Sequence, residues 1–452
     1  MASPKIACIG AGSLYFRRVL RDLAVSTGLA ESTIALYDLD LDKSRLMAGY
    51  AARLTDVCGT RQTAVAAESL AEAVDGANFV ITSIGGAGAS RGRVYGTAAH
   101  AHDILIPARY GIYQIVGDTG GPAGMMMGLR SIPAYLAICH EMERRCPNAV
   151  LLNHSNPMAA LCRAMIKYSN IERVVGICHG VQGGIANAAK VLEVEPEELD
   201  TVWIGTNHYY WFTRIHHNGV DVYPELRRRM AEREDPQGQR FTSELSTIYG
   251  HQITYPEDSH VLEFYPFLAQ LRSVDEVPYG FDAKAKEKYA DLERSLAHPE
   301  PEVDRETYLK DYAKELAEVS MPQGPSNAIR GEGLAILIEA IASGRRHVHI
   351  VNVPNRGSVP NLPDYAVLEV EAVTDSNGLR NVYMDEAPTS LAGILHKRIA
   401  WQELVADAAA KGDRNLALQA LLLDEMAIPP AKASAMLDEL LAASKDYLPQ
   451  FK

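Results

Sequence analysis

The chain has 452 residues, with 47% apolar and 22% charged side chains and a formal net charge of −13. That length exceeds one ordinary hydrophobic core, so two domains are expected, and the acidic balance argues against nucleic acid or an anionic membrane as a partner. No apolar run approaches the roughly 20 residues that span a bilayer, no secretory leader precedes the first strand, and the six scattered cysteines lack framework spacing; the expectation is a cytoplasmic protein with reduced thiols.

Lys5 to Ile9 reads as a buried strand that stops at Gly10-Ala11-Gly12-Ser13, and a helical pattern follows through Phe16, Leu20, Leu23 and Ala24. Strand, Gly-x-Gly, helix is the dinucleotide-binding arrangement, in which backbone N–H groups at a helix start meet a pyrophosphate. Tyr15 stands where the fingerprint has its third glycine, so a plain glycine turn in an α/β unit is the bland alternative. A second strand, Thr33 to Tyr37, ends in Asp38, 26 residues beyond Gly12. An acid there binds both ribose hydroxyls and repels a 2′-phosphate, which predicts NAD over NADP.

Leu70 to Val74 reads as a short helix and Ala77 to Ser83 as a strand, which places the loop of Ser83, Gly85, Gly86 and Gly88 beside the cofactor. A second glycine-rich loop, Gly117-Asp118-Thr119-Gly120-Gly121-Pro122-Ala123-Gly124, opens a helix expected from about Met125 to Glu143, with Met125, Met126 and Met127 as core. Val150 to Leu152 forms a strand ending in Asn153-His154-Ser155-Asn156-Pro157. Two further apolar runs stop at metal-binding types: Val174 to Ile177 delivers Cys178, and Val202 to Gly205 delivers Asn207 and His208. Held by neighbouring strand ends, a thiolate and an imidazole can share one divalent ion and leave coordination positions open. A buried inert cysteine and a hydrogen-bonded core histidine are the structural alternative. By their chemistry alone the pair suggests zinc or iron, since manganese prefers oxygen.

This alternation predicts a Rossmann-like, doubly wound parallel sheet over residues 1–206, and an α+β substrate, metal-site and oligomerisation domain over residues 207–452. In the second part a hairpin is expected to turn at Asn218-Gly219, Asp282 to Arg305 reads as a solvated face of mixed charge, Gly333 to Gly344 as a helix, His347 to Val353 as a strand, and the tail from Pro388 as helical.

Several of these motifs, in this order, resemble glycoside hydrolase family 4, glycosidases that need NAD and a divalent metal. Gly10-Ala-Gly12-Ser13-x-x-Phe16 is similar to the family's cofactor loop, and Tyr110-Gly-Ile-x-Gln-x-x-Gly117-Asp118-Thr119-x-Gly-Pro122-x-Gly124 to its first substrate loop. Asn153-x-Ser-Asn156-Pro157 is shared with the malate and lactate dehydrogenase superfamily. Cys178-His179 and Asn207-His208 resemble the metal elements, and Asn355-x-Gly-x-Val-x-Asn361-Leu-Pro363 a motif of the second domain. The resemblance implies Cys178 and His208 as ligands of a manganese-type ion, and a homo-oligomer, dimer or tetramer. Cys-His at 178–179 looks like the groups acting on unphosphorylated α-galactosides and α-uronides.

The segment from Glu257 to Pro266 resembles the His-x-x-Glu-Tyr-x-Pro region of those groups, with Phe264 in place of the tyrosine. His260 and Tyr265 are the candidate bases, against plain readings as a loop histidine and a packing ring. The implied reaction is an NAD-mediated oxidation at C3, deprotonation at C2, elimination at C1, addition of water and re-reduction, with net hydrolysis. His179 is the candidate acid for the leaving oxygen. Asp118, Asn153 and Asn156 are the candidates for sugar hydroxyls and Arg330 for a substrate carboxylate; Asp118 could instead cap the following helix, and Arg330 could be a surface ion-pair residue. The rival reading is an NAD-dependent dehydrogenase of a small hydroxy acid or polyol, which Asn-x-Ser-Asn-Pro also fits. A non-catalytic NAD-binding regulator is a further one.

Overall fold

The structure is a computed structural model and describes residues 3–85, 97–232, 239–253, 258–298, 304–322, 333–375 and 378–451. Its strands are β1 (Lys5–Ile9), β2 (Thr33–Tyr37), β3 (Thr63–Ala66), β4 (Phe79–Thr82), β5 (Val150–Asn153), β6 (Val174–Gly176), β7 (Leu199–Thr206), β8 (Tyr209–His217), β9 (Val220–Asp221), β10 (Gln252–Ile253), β11 (His347–Pro354), β12 (Val367–Asp375) and β13 (Gly378–Asn381).

Six of them, in the spatial order β3-β2-β1-β4-β5-β6, pair in parallel. This is the doubly wound order that the alternating pattern predicts, and its strand order reverses between β1 and β4, where ligands of such sheets bind. Every residue of β4 and β5 is buried, as expected for strands covered by helices on both faces. The helix Gly121–Arg145 begins four residues before its expected start and buries all three consecutive methionines.

Two features depart from the sequence reading. The large sheet does not stop at β6: β11 pairs antiparallel with it, and β12 and β13 follow, giving nine strands. The sheet therefore draws three strands from beyond residue 206, and the division expected there falls in the turn between β7 and β8, which pair in the small sheet. Also, β6 and β7 are not neighbours. β7 belongs to a second, antiparallel sheet of order β10-β8-β7 with β9 on β8. It lies against β12 through the Trp203 indole N–H to the Glu369 carbonyl (2.8 Å) and the Thr206 hydroxyl to the Val367 carbonyl (3.0 Å). Cys178 and His208 thus come from two different sheets.

Both hairpins of the small sheet use two-residue turns. Asn218 and Gly219 have φ of +51° and +78°, the conformation expected from the Asn-Gly pair. The β7–β8 turn is Asn207-His208, and there His208 takes the positive φ (+63°). Gly205, paired with Tyr210 just before this turn, has no room for a side chain: a Cβ would lie 2.3 Å from the Tyr209 carbonyl oxygen and 2.3 Å from Tyr210 Cα. Both obstacles are backbone, which cannot swing aside. We expect Gly205→Ala to destabilise the protein by about 3 kcal/mol in urea unfolding, as forced overpacking does. Gly219→Ala, where a Cβ meets nothing within 4 Å, should cost only its left-handed strain, about 1 kcal/mol.

Candidate active site

The loops after β1, β2, β4, β5 and β6 all emerge at the carboxyl edge of the parallel strands, and Gly10, Asp38, Ser83, Asn156 and Cys178 are on them. At the end of β1, Gly10 has φ +84°, and a Cβ there would sit 2.3 Å from the Ser83 carbonyl oxygen. Only glycine permits this approach of the turn to the β4 end. Asp38 closes the turn from the end of β2. One carboxylate oxygen accepts the Gly12 N–H at 2.9 Å and the other the Asp40 N–H at 2.9 Å. The acid is thereby fixed beside the start of helix Tyr15–Ala24, which has no acidic residue in its first turn to oppose a phosphate. Tyr15, at the third fingerprint position, hydrogen-bonds His154 Nδ1 at 2.5 Å and so ties this turn to the loop after β5. Ser155 in that loop bonds both the N–H (3.0 Å) and the carbonyl (2.7 Å) of Ile84, next to Ser83 and Gly85.

The second half of the site gathers around Asp118. Potential ligand atoms of Asp118, His208 and His260 all lie within 4.8 Å of one another. Asp118 accepts hydrogen bonds from the Thr119 hydroxyl (2.7 Å) and the Asn156 amide (2.9 Å), and its Oδ1 is 4.0 Å from His208 Nδ1. The Thr119 hydroxyl also meets His208 Nδ1 at 3.0 Å, which orients the ring. The His208 and His260 rings are edge to face, with centroids 5.4 Å apart. Burial pushes His208 down to about 4; Asp118 opposes the shift, and His260 and His179 add to it. At neutral pH its imidazole is therefore uncharged and has a lone pair to offer. For Asp118 burial acts upward, but the adjacent histidines and the bonds from Thr119 and Asn156 outweigh it and hold the carboxyl below its usual range.

Cys178 follows β6 and is buried, and the Gly180 N–H points at its sulfur at 3.3 Å. It is not among the three side chains whose ligand atoms converge. His179 is exposed at the N-cap of helix Gly180–Leu192, on the side of His208 and Glu369. Glu369, on β12, is fully buried, and burial pushes it up to about 7 against a hydrogen bond from Asn207.

Three expectations need revision. Asn153 does not face a ligand space: it is fully buried, its oxygen takes the Tyr135 hydroxyl (2.6 Å) and the Ser155 N–H (3.0 Å), and its nitrogen gives to the Ser155 carbonyl (3.0 Å). It shapes the loop that presents Asn156. Asp118 caps no helix, because the N-cap of helix Gly121–Arg145 is Gly120 and the Asp118 side chain turns to Thr119 and Asn156. Tyr265 sits in an aromatic cluster, stacked on Phe267 at 5.8 Å and edge-on to Phe241 and Tyr209. Burial raises its phenol far above the usual range. Phe264 stacks on Tyr209 at 4.2 Å, so the departure from the tyrosine pattern is a buried packing position. Arg330, Glu257 and the loop residues Gly86 and Gly88 lie outside the described residues. Thr119, His154 and Glu369 were missed as site residues; the hydroxyl directly after Asp118 was the one local signal.

Two family models match the chain: family 4 glycosyl hydrolase over residues 5–194 and family 4 glycosyl hydrolase C-terminal domain over residues 203–427. An α-galactosidase of Bacillus subtilis (strain 168) is 30% identical, with 99% of this chain and 100% of the relative aligned. An α-galacturonidase of Thermoanaerobacter italicus is 27% identical over 98% of this chain and 97% of the relative. The crystal structure of a 6-phospho-α-glucosidase from gut microorganisms in complex with NAD and Mn2+ superposes with a TM-score of 0.76 at 22% identity, covering 100% of both chains; at that identity it establishes the shared fold.

His208 sits at a positive φ that a β-hairpin turn would more readily give to glycine or asparagine. His208→Asn should therefore fold with stability within about 1 kcal/mol of the parent, since the strain eases as the packing is lost. Glycosidase activity should drop more than about 100-fold. A pH series gives a second readout. The His208 pKa is depressed from 6.5 to about 4, so the unfolded chain takes up its proton first and stability declines as pH falls through that window. Between roughly pH 7.5 and 5.5 the parent should lose about 1 kcal/mol more than the variant in urea unfolding, and equal losses would contradict the buried neutral histidine.

Proposed function

Since the chain belongs to glycosyl hydrolase family 4 and is a glycoside hydrolase, we propose that it hydrolyses unphosphorylated α-glycosides, an α-galactoside or α-uronide, through reversible oxidation of the sugar. The observation that carries the reading is the group Asp118, His208 and His260, gathered at the same sheet edge as the Gly10–Asp38 turn. Cys-His at 178–179 and the α-galactosidase and α-galacturonidase relatives support the substrate class.

The residues present fit both groups the reaction needs. The tight Gly10–Gly12 turn, the uncapped helix start and the anchored Asp38 carboxylate suit NAD. A neutral His208 and the N–H-supported Cys178 sulfur suit a divalent ion, with the Asp118 carboxylate adding the negative charge and oxygen character that manganese favours. When bound, NAD supplies a reversible hydride acceptor for C3, and the ion polarises the sugar oxygens that acidify C2.

The protein's own tasks are then proton transfer and orientation. His260, beside His208 and half-buried, takes the C2 proton; Tyr265, with its raised phenol and its place among rings, frames the site. Exposed His179 returns a proton to the leaving oxygen and exchanges it with solvent. Asp118 and Asn156 receive hydroxyls of the sugar.

A panel of aryl α-galactoside, α-galacturonide and 6-phospho-α-glucoside with NAD and Mn2+ tests the substrate class. The unphosphorylated substrates should exceed the phosphorylated one by at least about 100-fold in kcat/KM, because a phosphate needs a dedicated charged subsite. The reverse order would overturn the assignment. In deuterated water the released sugar should carry deuterium at C2, after correction for exchange of free product. His260→Gln should abolish that incorporation, whereas Tyr265→Phe should keep at least about a tenth of the activity. Retention of C2 labelling without His260 would remove it as the base.

A 2′-phosphate would meet the Asp38 carboxylate, so NADP should bind more weakly than NAD by about 2 kcal/mol. Asp38→Asn should narrow that gap in equilibrium titrations, and equal affinities in the parent would show that Asp38 serves only the turn.

A further inference from the structure

We propose that Glu263, which takes no part in the chemistry above, is a positioning residue: its carboxylate holds the 114–118 segment so that Asp118 meets His208 and His260. Glu263 is 2% exposed. One of its oxygens accepts the backbone N–H groups of Ile115 (2.7 Å), Val116 (2.6 Å) and Gly117 (3.1 Å). The other accepts Gly117 N–H (2.9 Å) and the Gln114 side-chain amide (3.1 Å). Three successive peptide N–H groups turned to one anion form a nest, a concavity that suits a negative charge.

The opposite side of the same peptides is also pinned. Lys288 Nζ donates to the carbonyls of Ile115 (2.7 Å) and Val116 (3.1 Å), and the Tyr289 hydroxyl to that of Gln114 (3.2 Å). Gln114 then bridges across the loop, giving to the Gly120 carbonyl (3.0 Å) and accepting the Ala123 N–H (2.8 Å). At the far end Gly121 N–H is held by Asp424 (3.1 Å), itself paired with Arg398 (2.8 Å). Asp118 and Thr119 lie between these two anchored points, and their side chains leave the clamp to meet His208.

Glu263 is also one turn from His260, whose carbonyl accepts the Glu263 N–H at 3.2 Å. The same residue therefore fixes His260 through the main chain and Asp118 through the nest. It spans the gap between two of the three members of the group. A carboxylate suits this better than an amide, because all five contacts come from N–H donors; the NH2 of glutamine would turn two more hydrogens toward them. Supporting residues of this kind typically cost 10–100-fold in metal affinity or activity when lost.

The inference rests on the proposed reaction, but one of its readouts does not. In the full-length protein, Glu263→Gln should lower Mn2+ affinity in isothermal titration and kcat/KM on the best aryl glycoside by about 10–100-fold, with NAD affinity within about twofold of the parent. Glu263→Asp, which keeps the charge, should recover part of both losses. In an Asp118→Asn background, adding Glu263→Gln should change Mn2+ affinity less than about threefold, since the two act through one contact. Unchanged Mn2+ affinity and kcat/KM in folded Glu263→Gln, or additive losses in the double variant, would overturn the proposal. If Glu263→Gln does not fold, Gln114→Met, which breaks one strut of the clamp and leaves the carboxylate, should still lower both quantities about 10-fold; no change would overturn it equally. Should the parent show no glycosidase turnover, the proposed function fails, and the metal titrations still decide the role of Glu263.

Discussion

Parallel pairing is the constraint from which the site follows. Six strands that all point one way must return by crossovers, so the chain can place loops of free composition only at the strand ends. In the order β3-β2-β1-β4-β5-β6 those ends bring Gly10, Asp38, Ser83, Asn156 and Cys178 to one edge, although they span most of the first 180 residues. From β1 to β6 is three strand steps, about 14 Å, which separates the Gly10 turn from the Cys178 strand end along that edge. The group of Asp118, His208 and His260 is not complete from the parallel strands alone. His208 comes from the small antiparallel sheet, and β12, which supports it, comes from the last third of the chain.

The parallel half was legible because its signals are local. A buried strand, a glycine turn and a helix stripe lie within 20 residues at β1, and the acid at the end of β2 is at a readable spacing. The Asn218-Gly219 turn was legible for the same reason, since two residues determine the type. Where partners lie far apart, the pattern was silent. Nothing in β6 and β7 shows that they belong to different sheets, since both are short apolar runs. Nothing in β11 announces that it extends the first sheet by pairing with β6. Asn153 was misassigned because strand-end position alone cannot distinguish an amide turned inward to Tyr135 from one turned outward.

The buried charges were the least legible part. The segment from Asp282 to Arg305 reads as a solvated face by its mixed charge, and much of helix Asp282–Ala297 is exposed. Lys288, however, shares a side with the buried residues Ala285, Tyr289 and Leu292, and it reaches the carbonyls of the 114–118 segment. Helical spacing relative to the apolar residues held that signal, and charge counting hid it. Glu263 was visible within its motif, but its four donor groups belong to residues about 150 positions earlier. No local reading could supply them.

His208 shows how support and function are joined here. A residue at φ +63° with a branched ring carries left-handed strain of about 1 kcal/mol, and its burial withholds a proton that water would allow. Both costs fall on a single hairpin turn, so something must hold that turn in place. Trp203 and Thr206 fix the preceding strand to β12, the close approach at Gly205 leaves the hairpin no slack, and Thr119 orients the ring from the opposite side. Thr119 is in turn held by the clamp that Glu263 and Asp424 close on either side of it. The strained neutral histidine and the costly buried carboxylates are therefore parts of one arrangement. Each is unfavourable alone, and together they set the distance between a lone pair, an anion and a second imidazole without relying on a flexible side chain to find it.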